Sequence, residues 1–419
     1  MDDFRTRNGE LHCEEIPVSR IADAVGTPLY IYSKHTLVDH FRRLREAFAE
    51  VKPLIRYAVK ANSNLAILKA LAAEGAGFDV VSQGEIYRVL EAGGDPALID
   101  FAGVGKTREE IAYALEAGID TFNVESEGEL DLIDEVARAH GTTARIALRV
   151  NPDVDPQTHT YITTGKKGGK FGLDFDLARG IAESLTERVG VRLVGLHVHI
   201  GSQITKVEPH VEMVRRVVAL AEDLKGFHPH LDSINIGGGF GIHYREDEAP
   251  AMTDYADPMV PMLKESGFAI HMEPGRILVG NAGILVTRVV YTKPSGDKRF
   301  VICDAAMNDL IRPSLYDAFH RIEPVAPREG ESGLIDLVGP VCESGDFLAK
   351  DREFPPVEPG DLVAVRSAGA YGFVMASNYN SRPRAAEVMV DGGRFAIVRE
   401  RETLEELVRG EHADPEWRE

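Results

Sequence analysis

Short apolar runs alternate with longer amphipathic stretches over the first two thirds of the chain. The runs are rich in β-branched and aromatic residues and are bounded by turn-forming residues, which is typical of buried strands. The stretches between the early runs carry apolar residues at helical spacing and end near glycine. The predicted strands are 55–60, 78–82, 99–103, 121–125, 145–150, 193–200, 233–239 and 269–274. Eight strand and helix units in succession predict an α/β fold with a parallel (β/α)8 TIM-like barrel.

The pattern changes after residue 280. Val, Thr, Tyr and Arg alternate in segments such as GILVTRVVYTKP and DLVAVRSAGAY, and turn clusters such as PSGD and DGG separate them. This alternation predicts a C-terminal antiparallel β domain. We therefore expect a barrel over 35–279, a β domain over 280–419, and an N-terminal segment 1–34 that joins the β domain through its PLYIYS stretch.

Composition and charge exclude several classes of function. Lysine and arginine total 47 while aspartate and glutamate total 67, so the formal charge is −20 and a nucleic-acid partner is not expected. The N-terminus lacks the apolar core of a signal peptide, and no run of about 18 apolar residues follows, so we expect a cytoplasmic protein with no membrane partner. Cys13, Cys303 and Cys342 are odd in number and form no CxxC pair, which argues against disulfides and zinc knuckles.

Ionisable residues gather at the carboxyl ends of the predicted strands, the end that carries the active site in this fold. The residues are Lys60, Asp79, Arg149, His197, His199 and Glu273. Each one alone has an ordinary structural interpretation, such as a salt bridge or a hydrogen-bonded core histidine. Their shared placement at one rim favours a functional site.

Three glycines, Gly237, Gly238 and Gly239, follow the seventh strand. They lack the last glycine of the dinucleotide-binding fingerprint. Bare backbone amides can approach an anion closely, and the loops after strands seven and eight of such barrels commonly hold phosphate. Arg276, just past strand eight, would add a charge-assisted bond. A second glycine-rich stretch, GKKGGKFG at 165–172, has the wrong spacing for a P-loop and is interpreted as a mobile loop.

Zinc binding is the main alternative. His197 and His199 are two residues apart and would share a strand face, so together with Asp304 or Glu273 they could bind the metal. This interpretation leaves the lysine, the glycines and the arginine without a common purpose, so no metal is expected.

Pyridoxal 5'-phosphate is a ligand that uses all of these groups. Its aldehyde needs a lysine, its phosphate needs backbone amides and an arginine, and its ring nitrogen needs a partner. A carboxylate at the nitrogen favours the protonated ring, which then accepts electrons. Glu273 suits that position, and Lys60 suits the aldehyde.

Eight segments in order resemble the diaminopimelate decarboxylases, a family of fold-type III pyridoxal-phosphate enzymes with an alanine racemase-like fold. They are YAVKAN, FDVVSQGE, HVHIGSQ, GGGF, EPGR, RPSLYDAFH, GPVCESGD and AGAYG. The resemblance covers nearly the whole chain. It implies that Lys60 binds the cofactor covalently, that His199 stacks on its ring, and that Glu273 pairs with the ring nitrogen. The expected cofactor contacts are Lys60, Asp79, Arg149, His199, Ser202, Gly237, Gly238, Gly239, Glu273, Gly275, Arg276 and Tyr371.

The same resemblance assigns roles to the β domain. Cys342 would donate a proton and so join Lys60 and His199 as a catalytic residue, and Tyr371 would contact the phosphate. These groups would reach the site of a partner chain across a head-to-tail homodimer. The expected substrate contacts are Arg276, Arg312, Tyr316, Glu343 and Tyr371.

The implied reaction is the decarboxylation of meso-2,6-diaminopimelate to L-lysine and carbon dioxide, the last step of lysine biosynthesis. Three alternatives remain open: a decarboxylase of ornithine, arginine or carboxynorspermidine; a racemase of the same fold; and a non-catalytic carrier of the cofactor. A carrier of the cofactor would need only the barrel, whereas this chain has a long second domain. The other two lack a distal substrate carboxylate for the RPSLY segment to bind.

Overall fold

The computed structural model describes residues 2–155, 170–245 and 249–418. The chain divides into two compact units, the first made of Met1–His35 with Ala282–Glu419 and the second of Thr36–Asn281. Most of the segment interpreted as a mobile loop, 165–169, lies outside the described residues. In the described ranges no helix is both long and apolar enough to cross a membrane.

The N-terminal part of the first unit begins with a small antiparallel sheet. Its strands are β1 (Phe4–Arg7), β2 (Glu10–Cys13) and β3 (Ile16–Pro17), and helix α1 (Val18–Val25) follows them. Strand β4 (Leu29–Ser33), from the PLYIYS stretch, pairs with two strands of the C-terminal part of the same unit.

Eight parallel strands form the centre of the second unit. They are β5 (Leu54–Ala58), β6 (Gly77–Val80), β7 (Ile99–Phe101), β8 (Thr121–Val124), β9 (Ala144–Val150), β10 (Val191–Val198), β11 (Ser233–Asn235) and β12 (Ala269–Met272). The strands close into a barrel because β12 pairs with β5 in the order β10-β11-β12-β5-β6-β7-β8-β9. The predicted (β/α)8 barrel is confirmed.

Helices connect the barrel strands. They are α2 (Lys34–Ala47), α3 (Leu65–Ala73), α4 (Gln83–Glu91), α5 (Arg108–Ala117), α6 (Glu127–Ala139), α7 (Phe175–Ser184), α8 (Glu208–Lys225), α9 (Met252–Ser266) and the short α10 (Arg276–Val279). Five of them begin at a side chain that accepts a first-turn backbone N–H, which satisfies an otherwise unpaired donor. These capping residues are Asn64, Ser82, Thr107, Ser126 and Asp174.

The barrel lumen contains a layer of polar side chains where branched apolar residues usually pack. Asp100 on β7 accepts a hydrogen bond at 3.0 Å from Asn235 on β11, although these strands are not neighbours in the closed sheet. Asn123 on β8 likewise reaches Glu273, which directly follows β12. These bonds cross the lumen, so the lumen positions side chains from opposite walls against one another.

A large sheet dominates the C-terminal part of the first unit. Besides β4, its strands are β13 (Gly283–Ser295), β14 (Lys298–Cys303), β15 (Ile322–Pro324), β16 (Gly333–Val338), β17 (Phe347–Phe354), β18 (Leu362–Val365), β19 (Ala386–Asp391) and β20 (Arg394–Arg399). Two short helices, α11 (Arg312–Tyr316) and α12 (Leu404–Leu407), accompany them.

This sheet is mixed, whereas the alternation of residues predicted an antiparallel one. Strands β14 and β16 run parallel, as do β4 and β19, while the other pairs are antiparallel. Neither parallel pair is joined by a hairpin: α11 and β15 lie between β14 and β16, and most of the chain lies between β4 and β19. Alternation along a strand reports which face is buried and does not report the direction of the neighbouring strand.

Candidate active site

Lys60 lies in a short 3-10 turn, Val59–Ala61, that directly follows β5. The pattern placed it at the end of the strand, but the strand stops at Ala58, where the turn begins. The Lys60 ammonium donates a hydrogen bond to Asp79 Oδ2 on the neighbouring strand β6. The Lys60 side chain is 35% exposed while Asp79 is fully buried. The lysine is therefore accessible at the rim and is held by a carboxylate from the lumen.

The three glycines after β11 leave no room for side chains. A Cβ atom at Gly237, Gly238 or Gly239 would lie 2.2 to 2.4 Å from a backbone carbonyl oxygen. Those oxygens belong to Val198, Glu273 and Gly201. Gly237 and Gly239 also have positive φ angles of 66° and 92°, which disfavour other residues. This loop, 237–239, is a cradle free of side chains, in which the Gly237 and Gly238 N–H groups donate to Asn235 Oδ1 and His199 Nδ1.

Arg276, the first residue of α10, is buried near this loop. Its Nη2 donates to Ser202 Oγ at 3.0 Å, and its Nη1 donates to the Tyr244 hydroxyl at 2.5 Å. Ser202 is connected to the loop because the backbone of Ile204, two residues on, donates to Gly239 O at 2.9 Å. A guanidinium and a hydroxyl beside a loop without side chains suit an anionic phosphate.

Gly275 precedes Arg276 and lets this segment approach the lysine turn. A Cβ atom there would lie 3.1 Å from the Cβ atoms of Ala58 and Ala61, on either side of Lys60. The backbone of Ala58 also donates to Pro274 O at 3.1 Å. The lysine turn and the segment that carries Glu273 and Arg276 are therefore neighbours.

His199 follows the end of β10, and its Nδ1 accepts a hydrogen bond at 3.3 Å from the backbone of Gly238. Burial holds the His199 pKa well below its usual range, and the charges of Arg149 and Lys60 lower it further. A neutral, flat imidazole beside the glycine loop suits stacking on an aromatic ring.

Glu273 directly follows β12 and is almost fully buried. Its Oε1 accepts from Asn235 Nδ2 at 2.7 Å and from Asn123 Nδ2 at 3.4 Å, and its Oε2 lies 2.9 Å from His197 Nε2. Burial, and then the charge of Asp79, raise the pKa of Glu273 to about 7, while Lys60 opposes this rise. Glu273 can therefore hold or release a proton near neutral pH.

Asp79, Asp100 and Glu273 form a cluster of buried carboxylates whose oxygens lie within 4.8 Å of one another. Lys60 bonds to Asp79, and Arg56 reaches Asp100 at 3.5 Å. Burial raises the pKa of Asp100 well above its usual range.

The zinc interpretation finds no support in this cluster. In the described part of the chain, the potential metal-ligand atoms that gather this closely include no histidine nitrogen. His197 and His199 do not share a strand face, because β10 ends at Val198; one lies against Glu273 and the other against Gly238. Asp304 accepts instead from Thr27 and Thr287 within the first unit.

Arg149 is engaged by other side chains. Its Nη1 donates to Glu125 Oε1 at 2.7 Å, and its guanidinium carbon lies 4.9 Å from the centre of the Phe171 ring. Its charge lowers the pKa of His197 and His199. The structure thus places Arg149 against Glu125 and Phe171, where its charge adds to burial in keeping both histidines neutral.

The other predicted residues lie in the first unit. Arg312 and Tyr316 are on α11, with the Arg312 guanidinium carbon 5.9 Å from the centre of the Tyr316 ring. Ser314 between them donates to Gly345 O at 2.5 Å, which ties α11 to the loop that carries Cys342 and Glu343.

Cys342 is exposed and Tyr371 is partly buried. The backbone of Cys342 donates to Asn380 Oδ1 at 2.9 Å. Tyr371 has a positive φ angle of 55°, which is uncommon for a residue with a side chain. Glu343 hydrogen-bonds Tyr379 and raises the pKa of its hydroxyl.

Several site residues were not singled out from the sequence. These are Asp100, Asn123, Glu125, Asn235 and Tyr244. The first four lie within or at the end of predicted strands. A polar residue in the middle of an apolar strand, as in IDF, FNV and SIN, was the signal that would have found three of them.

Comparison with known proteins gives one consistent family. The family model described as "Pyridoxal-dependent decarboxylase, pyridoxal binding domain" matches residues 34–280. A relative from Pseudomonas aeruginosa named diaminopimelate decarboxylase is 49% identical over 416 residues, which cover 99% of this chain and 100% of that protein.

Two solved structures are also similar over nearly the whole chain. The diaminopimelate decarboxylase from Helicobacter pylori complexed with L-lysine is 42% identical, with a TM-score of 0.90 over 93% of this chain and 98% of that one. The diaminopimelate decarboxylase from M. jannaschii in complex with L-lysine is 38% identical, with a TM-score of 0.93 over 99% and 98%.

Proposed function

The chain belongs to the pyridoxal-dependent decarboxylases, and we propose that within this family it decarboxylates meso-2,6-diaminopimelate to L-lysine and carbon dioxide. The observation that carries the proposal is an accessible lysine, a glycine cradle free of side chains and a buried glutamate at one rim. The full-length similarity to diaminopimelate decarboxylases supports the choice of substrate.

Pyridoxal phosphate fits the donors that the barrel provides. The loop 237–239, Ser202 and Arg276 would hold its phosphate, and Lys60 would hold its aldehyde. When bound, this cofactor supplies an electron sink for the electron pair left at the substrate Cα after carbon dioxide departs.

The residues of the barrel prepare this chemistry through charge. Asp79 holds the Lys60 ammonium at the rim, which fixes the position of the amine. Glu273 would face the ring nitrogen, where its carboxylate would keep the ring protonated because opposite charges at close range favour the cationic ring. His199 is kept neutral by burial and by Arg149, so it would pack on the ring without adding charge.

Residues of the first unit would complete the site, in our proposal, from a partner chain in a homodimer. Arg312 and Tyr316 would bind the distal carboxylate of diaminopimelate, and Glu343 would accept from its distal ammonium. As the bond between Cα and the departing carboxylate breaks, Cys342 would give its proton to Cα, so a hydrogen replaces the lost group. The dimer and a cytoplasmic location remain predictions from the sequence.

Product analysis tests the proposal. We expect protein loaded with pyridoxal phosphate to release lysine and an equal amount of carbon dioxide from meso-2,6-diaminopimelate, measured by mass spectrometry. Borohydride should fix the cofactor at Lys60, and Lys60→Ala should lose both the adduct and turnover. Faster turnover of ornithine or arginine than of diaminopimelate would show that the proposed substrate is wrong. A change of configuration at the substrate Cα without release of carbon dioxide would indicate a racemase.

A further inference from the structure

Asn235 connects the two parts of the barrel that would anchor the cofactor. It is the last residue of β11, it is 3% exposed, and the loop 237–239 starts two residues later. Its side-chain Oδ1 accepts from the backbone of Gly237 at 2.9 Å. Because a backbone N–H can only donate, the atom that faces it must be the amide oxygen, so the orientation of the Asn235 amide is settled.

The orientation forces both hydrogens of Nδ2 into the carboxylate cluster. One is directed to Glu273 Oε1 at 2.7 Å and the other to Asp100 Oδ2 at 3.0 Å. The carboxylates of Asp79, Asp100 and Glu273 would repel one another at this range if all were ionised. A neutral donor between two of them holds them together without adding charge.

We propose that Asn235 is a positioning residue that holds Glu273 toward the pyridine nitrogen and fixes the distance from that carboxylate to the phosphate-binding loop. It touches neither the substrate nor the reacting atoms, and it acts through Glu273 and Gly237. Asn123 has a lesser part, because its Nδ2 is 3.4 Å from the same Oε1 atom. The inference rests on the proposed binding of pyridoxal phosphate.

Asn235→Leu tests this role, because leucine has a similar size and has no donor or acceptor. We expect its affinity for pyridoxal phosphate to fall about tenfold or more, as for the loss of a hydrogen bond to a charged group. Cofactor labelled with nitrogen-15 in the ring should show a protonated nitrogen in the wild type and an unprotonated one in the variant, by solid-state NMR. Asn123→Ala should cause a smaller loss of affinity.

Ser233→Ala is the matched control. Ser233 lies on the same strand and also loses one buried hydrogen bond, from its Oγ to Val194 O at 2.9 Å, but it does not contact the carboxylates. Its cofactor affinity and ring-nitrogen signal should stay at the wild-type values. Asn235→Ser replaces the leucine variant where that protein does not fold, and the same outcomes apply to it.

The possible results distinguish a failure of the proposed role of Asn235 from a failure of the proposed function. Wild-type protein that binds no pyridoxal phosphate would overturn the proposed function. Wild-type protein with a protonated ring nitrogen, together with an Asn235 variant that keeps both the proton and the affinity, would overturn the inference alone. Lower thermal stability without any change in these two readouts would likewise reduce Asn235 to a structural residue.

Discussion

Glu273→Gln should remove a pH dependence from the stability of the cofactor-free protein. The pKa of Glu273 in the folded protein is raised from 4.5 to about 7, mainly by burial. The folded state therefore holds this proton more tightly than the unfolded chain does. The associated stability is fully present below about pH 4.5, and it is lost as the pH rises through about 7. Glutamine keeps the shape of the side chain and cannot ionise.

The displacement of the pKa from 4.5 to about 7 corresponds to on the order of 3 kcal/mol of unfolding free energy. Wild-type protein should lose up to this amount more than the variant between pH 5 and pH 8. Glu85 and Asp309 also have pKa values raised to about 7, but they are present in both proteins and cancel in the difference. Asp100 does not cancel, because after burial Glu273 is among the causes of its raised pKa, and it adds to the loss in the wild type.

The assay is urea unfolding of cofactor-free wild type and variant at several pH values, followed by circular dichroism. Glu127→Gln, at an exposed position in the first turn of α6, is the matched control and should follow the wild-type curve. The reasoning is refuted if wild type and Glu273→Gln lose the same stability between pH 5 and pH 8. That result would mean that Glu273 is already ionised at pH 5 in the folded protein.

Three other predictions concern the remaining parts of the site. Gly238→Ala should weaken pyridoxal phosphate binding at least about tenfold, measured by cofactor titration, because its Cβ would lie 2.2 Å from Glu273 O. Unchanged affinity would contradict the role of the loop 237–239 in binding the phosphate. Mixing inactive Lys60→Ala with inactive Cys342→Ala should restore part of the activity if sites are shared in a dimer, and no recovery despite proven subunit exchange would exclude sharing. Arg312→Ala should lower kcat/KM for diaminopimelate, because it removes an ion pair with the distal carboxylate worth about 2 to 5 kcal/mol, and kcat/KM for ornithine should rise relative to it. An unchanged preference for diaminopimelate over ornithine would show that Arg312 does not determine specificity.

The sequence predicted the barrel because its signal is periodic and local. Each strand is a short apolar run, and several helices begin or end at recognisable residues, such as Thr107 and Gly118 at the two ends of α5. Strand ends were predicted less well: β5, β10 and β12 all stop before the last predicted residue, since the chain turns where Lys60, His199 and Glu273 must face the rim. The direction of the paired strands in the first unit depends on distant segments, which no local pattern reports.

The rim residues could be predicted because each lies at or just past the carboxyl end of a strand. The partners of the lumen residues could not be assigned in this way. Asp100 and Asn235 are 135 residues apart, and their contact exists only because the barrel closes. Even the fact that Asp100 is buried says nothing about which opposite strand supplies its donor. Such pairs follow from the strand order and register of the whole barrel.

The charges in the lumen explain why a polar layer can persist there. Of three buried carboxylates, Asp79, Asp100 and Glu273, the first two are paired directly with Lys60 and Arg56, and Arg56 is shared with Asp120 as well. This deficit of positive charge, added to burial, keeps the pKa values of Asp100 and Glu273 high. A protonated pyridine ring bound against Glu273 would supply the missing cation, so the arrangement that is unfavourable in the empty barrel becomes favourable with the cofactor bound. The shortage of positive charge that raises the pKa of Glu273 is thus the same property that would favour a cationic ring.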